Sequence, residues 1–123
     1  MHKVVPRDAL GASSELRLVT TGRRTGLPRE VELWFAYDRK DRKLVLLAHN
    51  RSQWWRNVAN NRSVRFRTPG DMGYRDGVAR VHLRDSAKLL AAMRLFRKKY
   101  GEAAVKSWYG DGEDRVVVEI PIP

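Results

Sequence analysis

Hydrophobic and polar positions alternate along the first third of the chain. Leu16, Leu18 and Thr20 face one way and Arg17, Val19 and Thr21 the other, which predicts a strand over 15–21. Val31, Leu33, Phe35 and Tyr37 share one face of a second strand. Leu44 to Ala48 is apolar with little alternation, as in a strand covered on both faces. Ser52 is placed as the N-cap of a short helix over 53–60. Alternation returns at Val64–Arg67 and again over 77–83. Asp85 and Ser86 open a longer helix in which Leu89, Met93, Phe96 and Tyr100 form one apolar stripe. Gly101 is placed as its left-handed stop. A helical turn over 103–108 and an apolar, central strand over 116–120 complete the pattern.

The predicted order is three strands, a short helix, two strands, a longer helix and a last strand. Short links favour antiparallel pairing; the segment joining the first two strands is too short for a parallel crossover. Six such strands with two helices can close as a small barrel, which removes exposed edges. With 123 residues the chain is expected to form one domain, 1–123, with 1–14 as a lead-in.

Composition narrows the chemistry. Cysteine is absent, which excludes disulfides, a thiol nucleophile, Cys-ligated zinc and iron–sulfur clusters. The three His, at 2, 49 and 82, are too scattered for a preformed metal site, so none is expected. The net charge of +11 favours an anionic partner: nucleic acid, an anionic membrane or a phosphorylated small molecule. No apolar run suits a transmembrane helix or a signal peptide, and the cytoplasm is the expected compartment.

Three segments carry candidate chemistry. In the loop 22–29, two Gly allow close backbone approach, Arg23, Arg24 and Arg29 supply charge, and Thr20, Thr21 and Thr25 supply hydroxyls. Such a loop can cradle a phosphate; the alternative is a solvated hairpin tip kept soluble by its Arg residues. Trp54 and Trp55 point about 100° apart on a helix, so one can pack inside while the other lines a pocket. The alternative is that both pack a small core. Trp108 and Tyr109, before Gly110-Asp111-Gly112, can border a pocket or simply cap the fold, and His49 can face a ligand from the end of its strand. No Ser-His-Asp set and no spaced carboxylate pair is readable. A protein so equipped either binds without chemistry or lets a cofactor supply it.

The stretch Leu18-Val19-Thr20-Thr21-Gly22-Arg23-Arg24-Thr25-Gly26-Leu27-Pro28-Arg29 resembles the signature loop of the deazaflavin (F420)-dependent nitroreductase family. Val31–Phe35 and Trp54-Trp55-Arg56-Asn57-Val58-Ala59-Asn60 continue the likeness. Gly77–Arg80, Lys99-Tyr100-Gly101 and Val117–Ile120 resemble its later landmarks, so that it covers roughly residues 15–121. The resemblance implies a mainly β fold: a split β-barrel with flanking helices, of the FMN-binding, pyridoxamine-phosphate-oxidase-like type. It implies coenzyme F420 as cofactor, with FMN as the alternative.

Carried over by position, the resemblance places Thr21, Arg23, Arg24, Thr25, Gly26, Pro28 and Arg29 around the cofactor's phosphate and acidic tail. It places His49, Asn50 and Arg51 along the ring, and Trp54, Trp55 and Asn57 beside the pocket. Trp108 and Tyr109 fall on the substrate side. The segment 49–53 is shorter than in nitroreductase-type members, and Asn61-Arg62 stands where Asn-Pro is usual. The expected function is an F420H2-dependent oxidoreductase that passes a hydride to a quinone-, nitro- or enone-like acceptor; no residue is singled out as catalytic. A small-molecule acceptor is the expected partner, and homodimerisation is open. The alternatives are an FMN- or haem-binding barrel with another redox role, and a basic nucleic-acid-binding module. The last would interleave stacking aromatics with cations along a sheet face, whereas here the densest chemistry lies in a Gly-rich loop.

Overall fold

The computed structural model describes residues 15–123; the lead-in 1–14 lies outside them. Eight strands and three helices follow in the order β1 (Glu15–Thr21), β2 (Pro28–Trp34), β3 (Ala36–Asp38), β4 (Lys43–His49), α1 (Gln53–Asn60), β5 (Ser63–Arg67), β6 (Arg75–Val78), β7 (Arg80–His82), α2 (Ser86–Tyr100), α3 (Glu102–Tyr109) and β8 (Arg115–Pro121). Two four-stranded antiparallel sheets result, ordered β2-β1-β5-β6 and β3-β4-β8-β7. Phe35 and Ala79 each carry a strand from one sheet to the other, so the expected six strands close into one barrel. The predicted strand over 31–37 is therefore two, broken at Phe35, and the one over 77–83 begins earlier and is broken at Ala79.

A break in a ladder leaves backbone groups without strand partners, and buried ones must find others. The Phe35 N–H donates to the Tyr100 hydroxyl at 3.0 Å, and that hydroxyl donates to the Phe35 carbonyl at 2.8 Å. Lys99 Nζ donates to the same carbonyl at 2.7 Å and stands 3.6 Å from the centre of the Phe35 ring. Burial lowers the Lys99 pKa to about 8 and raises that of Tyr100 despite its bond to Phe35. Ala79 N–H is taken up by the Arg62 carbonyl at 2.9 Å.

The barrel interior is filled by Leu16, Leu18, Phe35, Leu44, Leu46, Trp54, Val58, Phe66, Val118 and Ile120, all buried. Across the second sheet, Ala36, Val45, Leu47 and Val117 pack against Ala92, Met93 and Phe96 of α2 and Val105 of α3. β4 and β8 lie between these two layers, which is why both read as continuous apolar runs. Within the α2 stripe Met93 and Phe96 are buried, and Leu89 and Tyr100 border them. Truncating the fully buried Phe96 to Ala costs about 3–5 kcal/mol. Gly101 has the positive φ expected of a glycine stop, +94°, with ψ at 152° rather than the left-handed helical value, and it caps α2 while opening α3. The turn expected at 103–108 is thus a full helix. Among the described residues no helix is long and apolar enough to cross a membrane.

The outer face of the second sheet also holds a buried charge cluster. Glu119 is 3% exposed and meets Lys43 Nζ at 2.7 Å, His82 Nε2 at 2.8 Å and Lys88 Nζ at 3.2 Å. Burial alone would raise its pKa. The hydrogen bonds from Lys43, His82 and Lys88 outweigh that and hold it at about 2. Nothing near His82 in sequence marks it for a partner; Glu119 comes from a strand 37 residues away.

Candidate functional site

The loop between β1 and β2 is drawn tight by its own backbone. Gly22 N–H donates to the Leu27 carbonyl at 2.8 Å, and Gly26 N–H to the Gly22 carbonyl at 2.7 Å. A β-carbon on Gly22 would lie 2.8 Å from Thr25 Oγ1 and 3.2 Å from the Leu27 carbonyl, while Gly26 turns the chain at φ +72°. Only glycine satisfies both without strain.

The loop is tied to α1. Arg23 donates from its backbone and from Nη1 to Asn57 Oδ1, at 3.2 and 2.9 Å, and from Nη2 to Gln53 Oε1 at 2.6 Å. Buried Asn57 donates in turn to Thr20 Oγ1 at 3.4 Å. Between loop and helix lies a cavity of about 620 Å³ lined by Arg23, Arg24, Thr25, Pro28, Arg29, Trp54 and Asn57, among others. Arg24 and Arg29 are exposed and have no ion pair among the described residues. Among the described residues its lining holds one carboxylate, Glu30, which is engaged by Arg17 at 3.4 Å and by the Tyr74 hydroxyl at 2.7 Å. The cavity therefore presents unneutralised positive charge.

A second cavity of about 350 Å³ adjoins it. Trp54 lines both, and β2 runs along both, through Glu30 and Val31 in the first and Glu32, Leu33 and Trp34 in the second. Aromatic rings shape it. Trp34 stacks on Tyr100 with centroids 4.1 Å apart and planes at 14°. Trp108 and Tyr109 lean on Trp34 at 5.9 and 6.0 Å. His49 and Arg115 complete the lining. His49 Nδ1 accepts the Arg51 N–H at 3.1 Å, so the neutral ring carries its proton on Nε2. Burial pushes the Tyr109 hydroxyl up to about 12, against the pull of Arg115.

The structure thus brings Arg23, Arg24, Thr25, Pro28, Arg29, Trp54 and Asn57 into the basic cavity, and His49, Trp54, Trp108 and Tyr109 into the aromatic one. Other candidates lie apart. Thr21 and Gly26 line another depression, along β1, β5 and β6, which Pro28 also borders. Asn50 and Trp55 line a separate cavity with His82, where the Trp55 indole N–H donates to the Asn50 carbonyl at 3.1 Å. Arg51 is exposed. Trp34 and Arg115 were not singled out from the sequence. For Trp34 the signal was present: it is the aromatic on the opposite face from Leu33 and Phe35. For Arg115 there was none.

The sequence model of a family described as F420H(2)-dependent quinone reductase matches residues 8–121. No curated protein matches the chain. Among solved structures, a FAD-binding protein from Mesorhizobium loti aligns with a TM-score of 0.71 at 16% identity, covering 100% of this chain and 91% of that one. An F420 reductase aligns with a TM-score of 0.65 at 19% identity, over 94% and 92% of the two chains. A putative pyridoxamine 5'-phosphate oxidase from Listeria innocua aligns with a TM-score of 0.59 at 18% identity, over 87% and 82%. These likenesses concern the fold, and it is the split β-barrel expected from the sequence.

Proposed function

The chain belongs to the F420H(2)-dependent quinone reductase family, and from that premise and the paired cavities we propose that it reduces a quinone-like small molecule with reduced F420. It is an oxidoreductase, and its cofactor is coenzyme F420. Nitro and enone acceptors fall within the same reading, because each takes a hydride at a polarised, flat centre.

The observation that carries the reading is that Trp54 lines both cavities. A basic cavity and an aromatic one lie side by side, as a ligand with an acidic tail and a flat ring requires. The donor set fits the tail. Arg24 and Arg29 are guanidiniums without an ion pair among the described residues, able to grip phosphate or carboxylate in a fork. Thr25 and the close-packed Gly22 backbone stand beside them.

When bound, the reduced deazaflavin supplies the hydride. The protein's own residues bind, orient and exclude water. Arg24 and Arg29 hold the tail; Arg23, through Asn57 and Gln53, holds the loop at its working distance from α1. Trp54, Trp34 and Tyr109 offer flat apolar faces to the ring and the acceptor.

The test is anaerobic mixing of F420H2 with 2-methyl-1,4-naphthoquinone, following the return of the oxidised coenzyme's visible absorbance. The reading predicts oxidation well above the uncatalysed rate and saturable in quinone. Oxidation at the uncatalysed rate with quinone, nitroaromatic and enone alike would overturn it.

A further inference from the structure

Arg115 opens β8 at the wall of the aromatic cavity. Its Nη2 donates to the Trp108 carbonyl at 2.8 Å, and its guanidinium carbon lies 4.8 Å from the centre of the Tyr109 ring. Both neighbours line that cavity, which places the guanidinium at its wall; the residue also borders the cavity of Asn50 and Trp55. Its Nε is buried and has no hydrogen-bond partner. Among the described residues no carboxylate stands within ion-pair distance of it. Two carboxylates share the lining, Glu15 and Glu32, and Glu32 is turned to Arg17 at 3.9 Å.

A buried donor left unbonded is costly, and a guanidinium with neither counter-ion nor full hydration is more so. Trp34, Trp54, Trp108 and Tyr109 on the lining offer it no side-chain hydrogen bond, and neither Glu15 nor Glu32 pairs with it. That Nε is closed off from the cavity; Nη1, which has no hydrogen bond among the described residues, is the donor that an anionic oxygen of a ligand can meet.

We propose that Arg115 is the specificity residue of the aromatic cavity, binding an anionic oxygen of the electron acceptor as that oxygen gains charge. This rests on the reading of the cavity as the acceptor site. A quinone that receives a hydride from the reduced deazaflavin is reduced, and the deazaflavin is oxidised. The new bond to hydrogen leaves one electron pair as negative charge on a quinone oxygen. A proton from water then joins that oxygen to give the hydroquinone, and the deazaflavin releases one proton to water, so charge and hydrogen balance. Arg115 meets the oxygen while it is anionic. A donor already in place for developing charge lowers the barrier without reorganisation. Arg suits this role because its charge does not titrate near neutrality. Acceptors whose reduction puts charge on a ring oxygen are thereby favoured over those that do not.

The test uses the cofactor-free protein and two naphthoquinones, with Trp fluorescence as the readout. One, 2-hydroxy-1,4-naphthoquinone, is an enolate at neutral pH; the other, 2-methyl-1,4-naphthoquinone, is uncharged. The wild type should bind the enolate more tightly. Arg115→Met should weaken the enolate by about tenfold or more, as for loss of one hydrogen bond to a charged group, and leave the neutral quinone within about threefold. Arg115→Lys keeps the charge and should keep the preference, which covers the case in which Arg115→Met does not fold. An unchanged ratio of the two affinities in Arg115→Met, or loss of the preference in Arg115→Lys with its Tm intact, would overturn the proposal. If the binding preference holds while the wild type oxidises no F420H2, the redox reading has failed and the anion site stands. With F420H2 present, Arg115→Met should lower kcat for quinone by about a hundredfold without raising the F420 dissociation constant.

Discussion

Arg23 gives two hydrogen bonds to one oxygen of Asn57, from its backbone at 3.2 Å and from its guanidinium at 2.9 Å. A charged loop residue is thus committed to a buried amide on a helix 34 residues away. This divides the cations of the loop into two kinds. Arg23 is a strut between the loop and α1, whereas Arg24 and Arg29 line the cavity and have no ion pair among the described residues.

Arg23→Ala should therefore cost stability, which a merely solvated loop would not predict. It strands the buried Asn57 acceptor, at about 1–3 kcal/mol. Arg24→Ala should stay within about 0.5 kcal/mol of the wild type, as surface changes usually do. Denaturant melting compares them; equal midpoints for the two variants would show that the Asn57 contact contributes nothing.

Trp54 and Trp55 are neighbours in sequence and line different cavities. Trp54 is 7% exposed and borders both the basic and the aromatic cavity. Titrating F420 into single Trp→Phe variants should abolish most of the fluorescence quenching in Trp54→Phe and little of it in Trp55→Phe. Equal loss in both would mean that the ligand does not lie along Trp54.

Glu119 makes stability depend on acid. Its pKa is about 2 in the folded chain against an ordinary 4.5, so the unfolded chain binds the proton first as pH falls. The stabilisation is complete above about pH 4.5 and is lost between there and about pH 2. Glu119→Gln should remove that acid-linked component. It should also lower stability near neutrality, by about 3–5 kcal/mol for a charge cluster that loses its buried carboxylate. Melts at a series of pH values test this; a Glu119→Gln curve parallel to the wild type across the acid range would contradict it.

Local pattern carried most of the fold. The alternations at 15–21 and 31–37 were legible because a half-buried strand repeats every two residues, and α2 because its stripe repeats at helical spacing. The break at Phe35 was not legible. No Gly or Pro marks it, and what makes it tolerable, the Tyr100 hydroxyl and Lys99, lies 65 and 64 residues away. Glu119 was hidden for the same reason: Lys43, His82 and Lys88 come from three separate elements or their edges. Within the site, the loop 22–29 stood out because two Gly and three Arg lie within eight residues. Trp34 escaped notice because the alternation of its strand drew attention to the buried face, Leu33 and Phe35, rather than to the face it shares with Tyr100. The resemblance put Asn50 and Trp55 beside the pocket; Trp55 lies on another side of α1 from Trp54, as two adjacent helix positions must, and Asn50 stands in the turn before the helix.

The central claim is that the loop cavity holds the acidic tail of F420, and equilibrium titration of F420 and FMN side by side tests it most directly. Wild type, the Arg24→Ala/Arg29→Ala double variant and Arg94→Ala, an exposed cation on α2, are compared. F420 should bind the wild type more tightly than FMN does. The double variant should raise the F420 dissociation constant by about a hundredfold or more, since each charged hydrogen bond lost weakens binding about ten- to a hundredfold, while Arg94→Ala should leave it unchanged. Binding of FMN without F420, or equal weakening by Arg94→Ala and the double variant, would contradict the account.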